Sequence, residues 1–319
     1  MVNKNNPQKL LVIAGSTASG KSDIAVILAQ HLNAEVVNID SVQVYKDFDI
    51  GSGKISQKDQ QGITHHLLSF QDPKSPMNVA EFVEGANIKI SEIISRGKLP
   101  ILVAGTSLYV KCLIHGLAEV PEGDEELRAK ISGLSTEDLL SQLSKVDPQS
   151  LETIKHTDRF RLIRALEVWQ LSGKKISQIQ KDHAYKESLH KGLFIFLNWP
   201  RERLYERINT RCKIMIQSGL LNETKTLIER YGIDALALKS LGYAQAVQAI
   251  NEKWSEDKLY EEMSSKTRQF AKRQLTFWRN QPKVLGWKIR PSEEEGFLTP
   301  SITKVKSSIN KIKDFAVFK

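Results

Sequence analysis

Leu10-Leu11-Val12-Ile13-Ala14, followed at once by Gly15-Ser16-Thr17-Ala18-Ser19-Gly20-Lys21-Ser22, is the stretch on which the fold turns. The first five residues form an uninterrupted apolar run, the pattern of a strand buried on both faces of a parallel sheet. The next eight fit G-x-x-x-x-G-K-[ST], and beyond them Ile24, Leu28 and Leu32 recur at helical spacing. Glycines in such a turn let the backbone wrap closely, so successive N–H groups and the helix N-terminus face an anion. Lys21 adds a point charge, and the Ser22 hydroxyl can ligate Mg²⁺.

The same alternation continues outward. Val36 to Ile39 reads as a second buried strand ending at Asp40, Val79 to Arg96 as a helix, and Leu99 to Ala104 as a third strand ending at Gly105. From about residue 117 to 190 the patterns are helical, with Asp158 placed to cap a helix running to Leu171. Leu193 to Leu197 returns to a strand, and the last third is helical to about Asn280, with a short strand expected near Val284 to Trp287. The fold class implied is α/β: a P-loop NTPase-like doubly wound parallel sheet with an inserted all-helical module. Residues 1–116 and 191–319 would form the core with C-terminal helices, and residues 117–190 the insert.

The formal charge is +9, from 46 Lys and Arg against 37 Asp and Glu, which favours a polyanionic partner. The two cysteines, Cys112 and Cys212, are far apart, so neither a disulfide framework nor a zinc site is expected. The apolar run at Leu10–Ala14 is too short for a membrane span or a signal segment, and the chain reads as cytoplasmic.

A P-loop identifies bound phosphates, not a reaction. An ordinary nucleoside triphosphatase places a Mg²⁺-binding Asp at the end of a second strand, yet the strand at 99–104 ends in Ala104-Gly105-Thr106, with no acid. A diphosphate ester would fit the same cradle. Asp40, at the next strand end, could take a proton from a nucleophile, position Mg²⁺ through water, or simply stabilise a turn.

Several blocks carry a resemblance. Thr17 to Lys21, then Asp40-Ser41-Val42-Gln43-Val44-Tyr45-Lys46 and Asp49-Ile50-Gly51, resemble the tRNA dimethylallyltransferase (IPP transferase) family. So do Ala104 to Tyr109, Arg161 to Glu167, Leu241-Gly242-Tyr243 and Thr267 to Trp278, in the family's order. The chain departs from the family's usual residues at Ser16, Ala104, Ile55 and Thr157-Asp158-Arg159. The resemblance implies transfer of a dimethylallyl group from dimethylallyl diphosphate to N6 of the adenine next to the anticodon of tRNA, with release of pyrophosphate and with Mg²⁺. It implies Asp40 as general base and Thr106 as a contact near the reacting centre. Gly15, Ser16, Thr17, Ala18, Ser19, Gly20, Lys21 and Ser22 would hold the diphosphate, with Mg²⁺ on Ser22 and on Asp40 through water. Ser41, Val42 and Gln43, with Asp40 and Thr106, would meet the tRNA. The protein is expected to work as a monomer.

Basic residues supply the rest of the tRNA surface. Between Met263 and Asn280 the chain carries Lys266, Arg268, Lys272, Arg273 and Arg279 and no acid. At about 100° per residue, Arg268, Lys272 and Arg279 share one face. Arg273 falls off it, nearer the pocket or core, and Phe270, Phe277 and Trp278 lie roughly opposite. Phe160, Arg161 and Arg164, beside Arg159, form a second cluster, and Arg128 matches a further tRNA contact of the family. His65-His66 reads as packing or surface rather than metal ligation, and Trp169 and Trp199 as packing. The competing readings are a small-molecule kinase, prenyl transfer to free adenine nucleotides, and an RNA-binding protein whose P-loop only senses nucleotide.

Overall fold

Six strands, all parallel, form one sheet in the order β3-β2-β4-β1-β5-β6. In this computed structural model, residues 8–185, 189–285 and 288–291 are described. The strands are β1 (Gln8–Gly15), β2 (Ala34–Ile39), β3 (His65–His66), β4 (Leu99–Ala104), β5 (His190–Leu197) and β6 (Lys288–Pro291). Between the first five run α1 (Lys21–Leu32), α2 (Val79–Ser95) and α3 (Ser107–His115), then α4 (Glu125–Ser132), α5 (Thr136–Val146), α6 (Arg159–Ser172) and α7 (Ile176–His183). After β5 come α8 (Arg201–Gln217), α9 (Leu220–Tyr231), α10 (Tyr243–Glu252) and α11 (Glu256–Leu285). Among the described residues, no helix is long and apolar enough to cross a membrane.

The central strands are apolar on both faces because both are covered. Leu11 and Ile13, with Val36, Ile101, Val103, Leu193 and Ile195, pack on Ile24 and Leu28 of α1. The opposite face meets α2 and α11, where the Phe194 and Trp278 rings lie 5.5 Å apart. The buried Glu35 on β2 gathers Arg96, Lys98 and His66. Burial would raise its carboxyl, but the hydrogen bonds of Arg96, His66 and Lys98 hold it at about 2. His66 is thereby committed to Glu35.

The expected strand at Val284–Trp287 is corrected. Val284 and Leu285 continue α11, residues 286 and 287 lie outside the described residues, and the strand follows at Lys288–Pro291. A short apolar run carries no period that separates a helix end from a strand.

The chain divides into two compact units, Met1–His115 with Ser188–Lys319, and Gly116–Glu187. The regular elements of the second, among its described residues, are all helices, and it has its own core, in which Ile131, Leu139 and Leu143 pack with Leu162, Ala165 and Leu166. Asp158 caps α6 through the Arg161 amide.

Sheet register fixes what lies at the carboxyl edge. Ala14 pairs with Ala104, Gly15 with Leu197, and Ile39 with Ala104. The segments leaving β1, β2, β4 and β5 therefore emerge side by side, which is where open α/β sheets bind ligands.

Candidate active site at the strand ends

The loop after β1 turns through left-handed residues at Ala18 (φ 61°) and Gly20 (φ 84°), then opens α1 at Lys21. A Cβ on Gly15 would sit 2.5 Å from Ser19 Oγ, so the turn closes only on a glycine. No side chain caps α1 at Gly20, which leaves its first amides pointing out of the helix end. The Ser16 and Ser19 hydroxyls are fully buried without a hydrogen-bond partner. Lys21 Nζ folds back to donate to Gly15 O (3.2 Å) and Ser16 O (2.8 Å). Burial pulls its ammonium down from the ordinary 10.5 to about 8, nearby Arg211 adds to this, and Asp40 offsets part. Together these groups make a donor-rich turn with a cation folded into it.

Other elements hold this loop by its backbone. Arg207 Nε donates to Ala18 O (2.8 Å) and Trp199 Nε1 to Ser19 O (3.0 Å). Gln274, on the buried stripe of α11, accepts from Thr17 N (2.8 Å) and donates to Gly105 O (3.0 Å), tying the loop to the end of β4. Trp199 is thus more than packing, because its indole fixes a loop carbonyl while its ring carries the Arg207 guanidinium at 4.8 Å.

Asp40 leaves β2 beside this loop. Its Oδ1 accepts from Val42 N (2.8 Å) and Gln43 N (3.1 Å), the bonds of an aspartate turn. Its Oδ2 lies against Gly105, where an added Cβ would fall within contact distance of Oδ2 and 3.0 Å from Cγ. One carboxylate oxygen therefore shapes the turn and the other stays over the end of β4. Thr106 Oγ1 accepts from Ser41 N (3.0 Å) and donates to Ser41 Oγ (3.2 Å), so Thr106 joins the two strand ends.

A loop from Asp49 to Lys54 forms the adjoining wall. Gln43 Nε2 donates to Ser52 O (3.2 Å) and Gly53 O (3.4 Å). The Arg211 guanidinium lies against Gly53, whose φ of +60° and lack of a Cβ leave it room. Arg211 is buried enough that desolvation lowers its pKa, and it feels the Asp40 charge. Gln274, Arg207, Arg211 and Trp199 were not read from the sequence as site residues. Each partners main chain far away in the sequence, so the signal was weak, amounting for Arg207 and Arg211 to two basic residues on one helix.

On α11 the helical-wheel reading matches the exposure of Lys272 and Arg279 and the burial of Trp278, and it fails at Arg273. On α11 the buried stripe is Met263, Thr267, Ala271, Gln274, Leu275 and Trp278, while Phe270 and Phe277 are half-buried. Arg268 Nη1 is held by Asn209 Oδ1 (2.7 Å), and Arg279 Nη2 by Asn198 Oδ1 (3.0 Å). Lys272 is exposed. Arg273 is also exposed and lies over the Phe270 ring at 5.7 Å, so it does not turn toward the pocket or core.

In the helical unit, Glu167 is completely buried and takes Arg128 (3.0 Å), Arg164 and the Asp124 amide. Arg159 donates to Thr136 Oγ1 and to the Ser132 and Leu134 carbonyls, clamping the turn between α4 and α5. Phe160 is 77% exposed and Arg161 points to solvent beside Asp158. Phe160, Arg128, Ser132, Ile163 and Arg164 line a pocket of about 80 Å³.

A family model described as IPP transferase matches residues 43–281, and one described as isopentenyl transferase matches residues 8–73. Among curated relatives, tRNA dimethylallyltransferase 1 of Pelobacter propionicus is 38% identical over 87% of this chain and 91% of its own length. A tRNA dimethylallyltransferase of Desulfitobacterium hafniense is 41% identical over 86% of this chain and 90% of its own. The solved tRNA isopentenylpyrophosphate transferase of Bacillus halodurans is similar over 97% of both chains, at 33% identity and a TM-score of 0.69. A eukaryotic dimethylallyltransferase solved acting on tRNA gives 26% identity and a TM-score of 0.81, over 96% of this chain and 80% of that one. The chain belongs to the IPP transferase family.

Proposed function

We propose that the protein is a tRNA dimethylallyltransferase, transferring the dimethylallyl group from its diphosphate to N6 of the adenine next to the anticodon and releasing pyrophosphate. The observation that carries this reading is the meeting of an anion cradle and a carboxylate at one edge of the sheet, Lys21 after β1 and Asp40 after β2, with the end of β4 between them. The sheet is read as the P-loop NTPase-like, doubly wound kind, with the loop at Gly15–Ser22 holding a diphosphate ester.

The bond from the allylic carbon to the diphosphate oxygen breaks as the bond from N6 to that carbon forms. Negative charge then builds on the leaving diphosphate, where the α1 amides, the Ser16 and Ser19 hydroxyls, Lys21 and Arg211 supply donors. N6 must lose a proton, and the Asp40 oxygen over Gly105 is the base that accepts it. Gln43 and Thr106 border that position and orient the adenine.

Mg²⁺ fits this donor set. Among the described residues no group of three or more His, Cys, Asp or Glu could hold a metal, so a cation here would take most of its ligands from diphosphate and water. That is the habit of Mg²⁺, and Ser22 with Asp40 through water would complete it. When bound, it neutralises diphosphate oxygens.

Extrusion of the adenine from its stack costs a few kcal/mol, offset by contacts elsewhere on the tRNA. Lys272 and Arg273 on α11, with Phe160 and Arg161 on the helical unit, present open side chains for this. Arg128 and Arg164 share the single Glu167 charge, so together they offer one net positive charge along with shape and hydrogen bonds.

Lys21 provides a direct test of the donor site. Its pKa of about 8 in the free protein means that the ammonium is present below that pH, and binding there needs no added proton. A diphosphate against Lys21 raises its pKa, so above pH 8 binding takes up a proton and affinity falls by up to about tenfold per pH unit. A non-reactive analogue of dimethylallyl diphosphate, ionised above about pH 7, is a suitable probe. Calorimetry in two buffers of different ionisation enthalpy is expected to show proton uptake near pH 9 and little near pH 7. Affinity that stays flat across that range and is unchanged in Lys21→Ala would remove Lys21 from the cradle.

A further inference from the structure

Glu223 lies on α9, outside every motif read from the sequence, yet its carboxylate accepts four hydrogen bonds, one more than that of Glu35. Oε2 accepts from Ile50 N (2.8 Å) and Asp49 N (3.3 Å). Oε1 accepts from Gly51 N (3.0 Å) and from the hydroxyl of fully buried Tyr243 (2.6 Å). Three successive main-chain amides converging on one anion form a nest, an arrangement that usually cradles a ligand's charge. Here the protein's own side chain fills it.

The seat is tight. A Cβ on Gly51 would fall 2.5 to 2.7 Å from three atoms of the Tyr243 ring, and one on Gly242 (φ +95°) would fall 3.0 Å from Gly51 O. Farther along α9, Arg230 and Tyr231 both bind Asp47 Oδ2, so the helix grips the loop at a second point. What this fixes is the next pair of carbonyls. Ser52 O and Gly53 O receive Gln43 Nε2, and Gly53 lies against the Arg211 guanidinium.

We propose that Glu223 is a positioning residue for both substrates: by holding the amides of residues 49–51 it sets the Ser52 and Gly53 backbone that aims Gln43 at the acceptor adenine and Arg211 at the donor diphosphate. This rests on the reading of the site as a tRNA dimethylallyltransferase. Among the described residues, the side-chain hydrogen bonds of Gln43 and Arg211 end on the Ser52 and Gly53 carbonyls. A half-buried carboxylate that served stability alone would not need to end on the loop that both of them touch.

Glu223→Gln keeps the volume and one acceptor oxygen but turns the other into a donor facing a main-chain donor. It is expected to raise KM for tRNA and to weaken binding of the donor analogue, with kcat/KM reduced by up to about 10²-fold. Glu223→Asp, which keeps the charge but falls one carbon short, is expected to lie between parent and Gln. Leu227→Ala is the control, since it removes a buried side chain from the same helix without touching the loop's anchors. It is expected to lower Tm while leaving both KM values near the parent's. All are assayed well below their own Tm. If Glu223→Gln matches Leu227→Ala in both KM values and in analogue affinity, or if neither 223 variant differs from the parent, Glu223 serves the fold only and the inference is overturned. A parent that transfers nothing to tRNA overturns the proposed function instead, and the inference with it.

Discussion

Asp40→Asn is expected to lower kcat by about 10²–10⁴-fold, the usual loss when a general base is removed, while the affinity for pyrophosphate at neutral pH stays near the parent's. Asparagine keeps an Oδ1 that can accept from the Val42 and Gln43 amides, so the turn after β2 survives. What disappears is the basic oxygen over Gly105. Asp40→Ala loses the turn bonds as well, so the difference between the two variants reads the structural share of Asp40. The Asp40 charge helps keep Lys21 protonated, so the comparison belongs near pH 7, where Lys21 stays largely charged even with some loss of that help. Single-turnover transfer with saturating donor measures the chemical step, and calorimetry with pyrophosphate measures the cradle. Parental turnover in Asp40→Asn would end the general-base role.

Gly105→Ala is expected to cost about 10²-fold in the same step, the scale of displacing a catalytic group by about 1 Å. The three nearest neighbours of the added methyl are all atoms of Asp40. The backbone at Gly105 cannot yield easily, because its N–H donates to Ile39 O (2.9 Å) and its carbonyl accepts from Gln274 (3.0 Å). The carboxylate must therefore rotate away from the end of β4. Asp40 is only half-buried, so this rotation costs little folding energy and Tm is expected to stay within a few degrees of the parent. A large loss of Tm with parental kcat in the surviving folded protein would mean that the methyl strains the strand end and leaves the carboxylate's task alone.

The strands that build the site were legible because a parallel strand covered on both faces has little freedom in composition. Leu10–Ala14 and Leu99–Ala104 are short and each runs straight into a glycine, which favours strand over helix, and the glycine turn between β1 and α1 marks its own geometry. Asp40 was legible by position, though not the division of labour between its two oxygens, which depends on Gly105 from another strand. The pairing of Arg164 with Glu167 lay within reach, three residues apart on one helix. That Arg128 would join them depended on how α4 packs on α6. Gln274 and Glu223 were beyond reach because each satisfies main-chain groups far away in sequence, and polar side chains serving distant backbone leave no periodic trace. The α11 wheel ranked residues by angle alone. It placed Lys272 and Arg279 outward, as they are, but could not show that Arg268 is half-buried against Asn209 or that Arg273 is exposed as well.

The central claim is a choice of chemistry as well as of acceptor. The measurement that tests it most directly incubates the protein with Mg²⁺ and dimethylallyl diphosphate labelled in the allyl group, with unmodified tRNA, with free adenine nucleotides, and with neither. A parallel arm uses ATP labelled in its terminal phosphate with small-molecule hydroxyl acceptors. The account predicts that label from the allyl donor appears in tRNA, on N6 of the adenine next to the anticodon after digestion to nucleosides, with stoichiometric pyrophosphate. Transfer of label to free nucleotides but not to tRNA, or phosphorylation from ATP with no prenylated nucleoside, would contradict it.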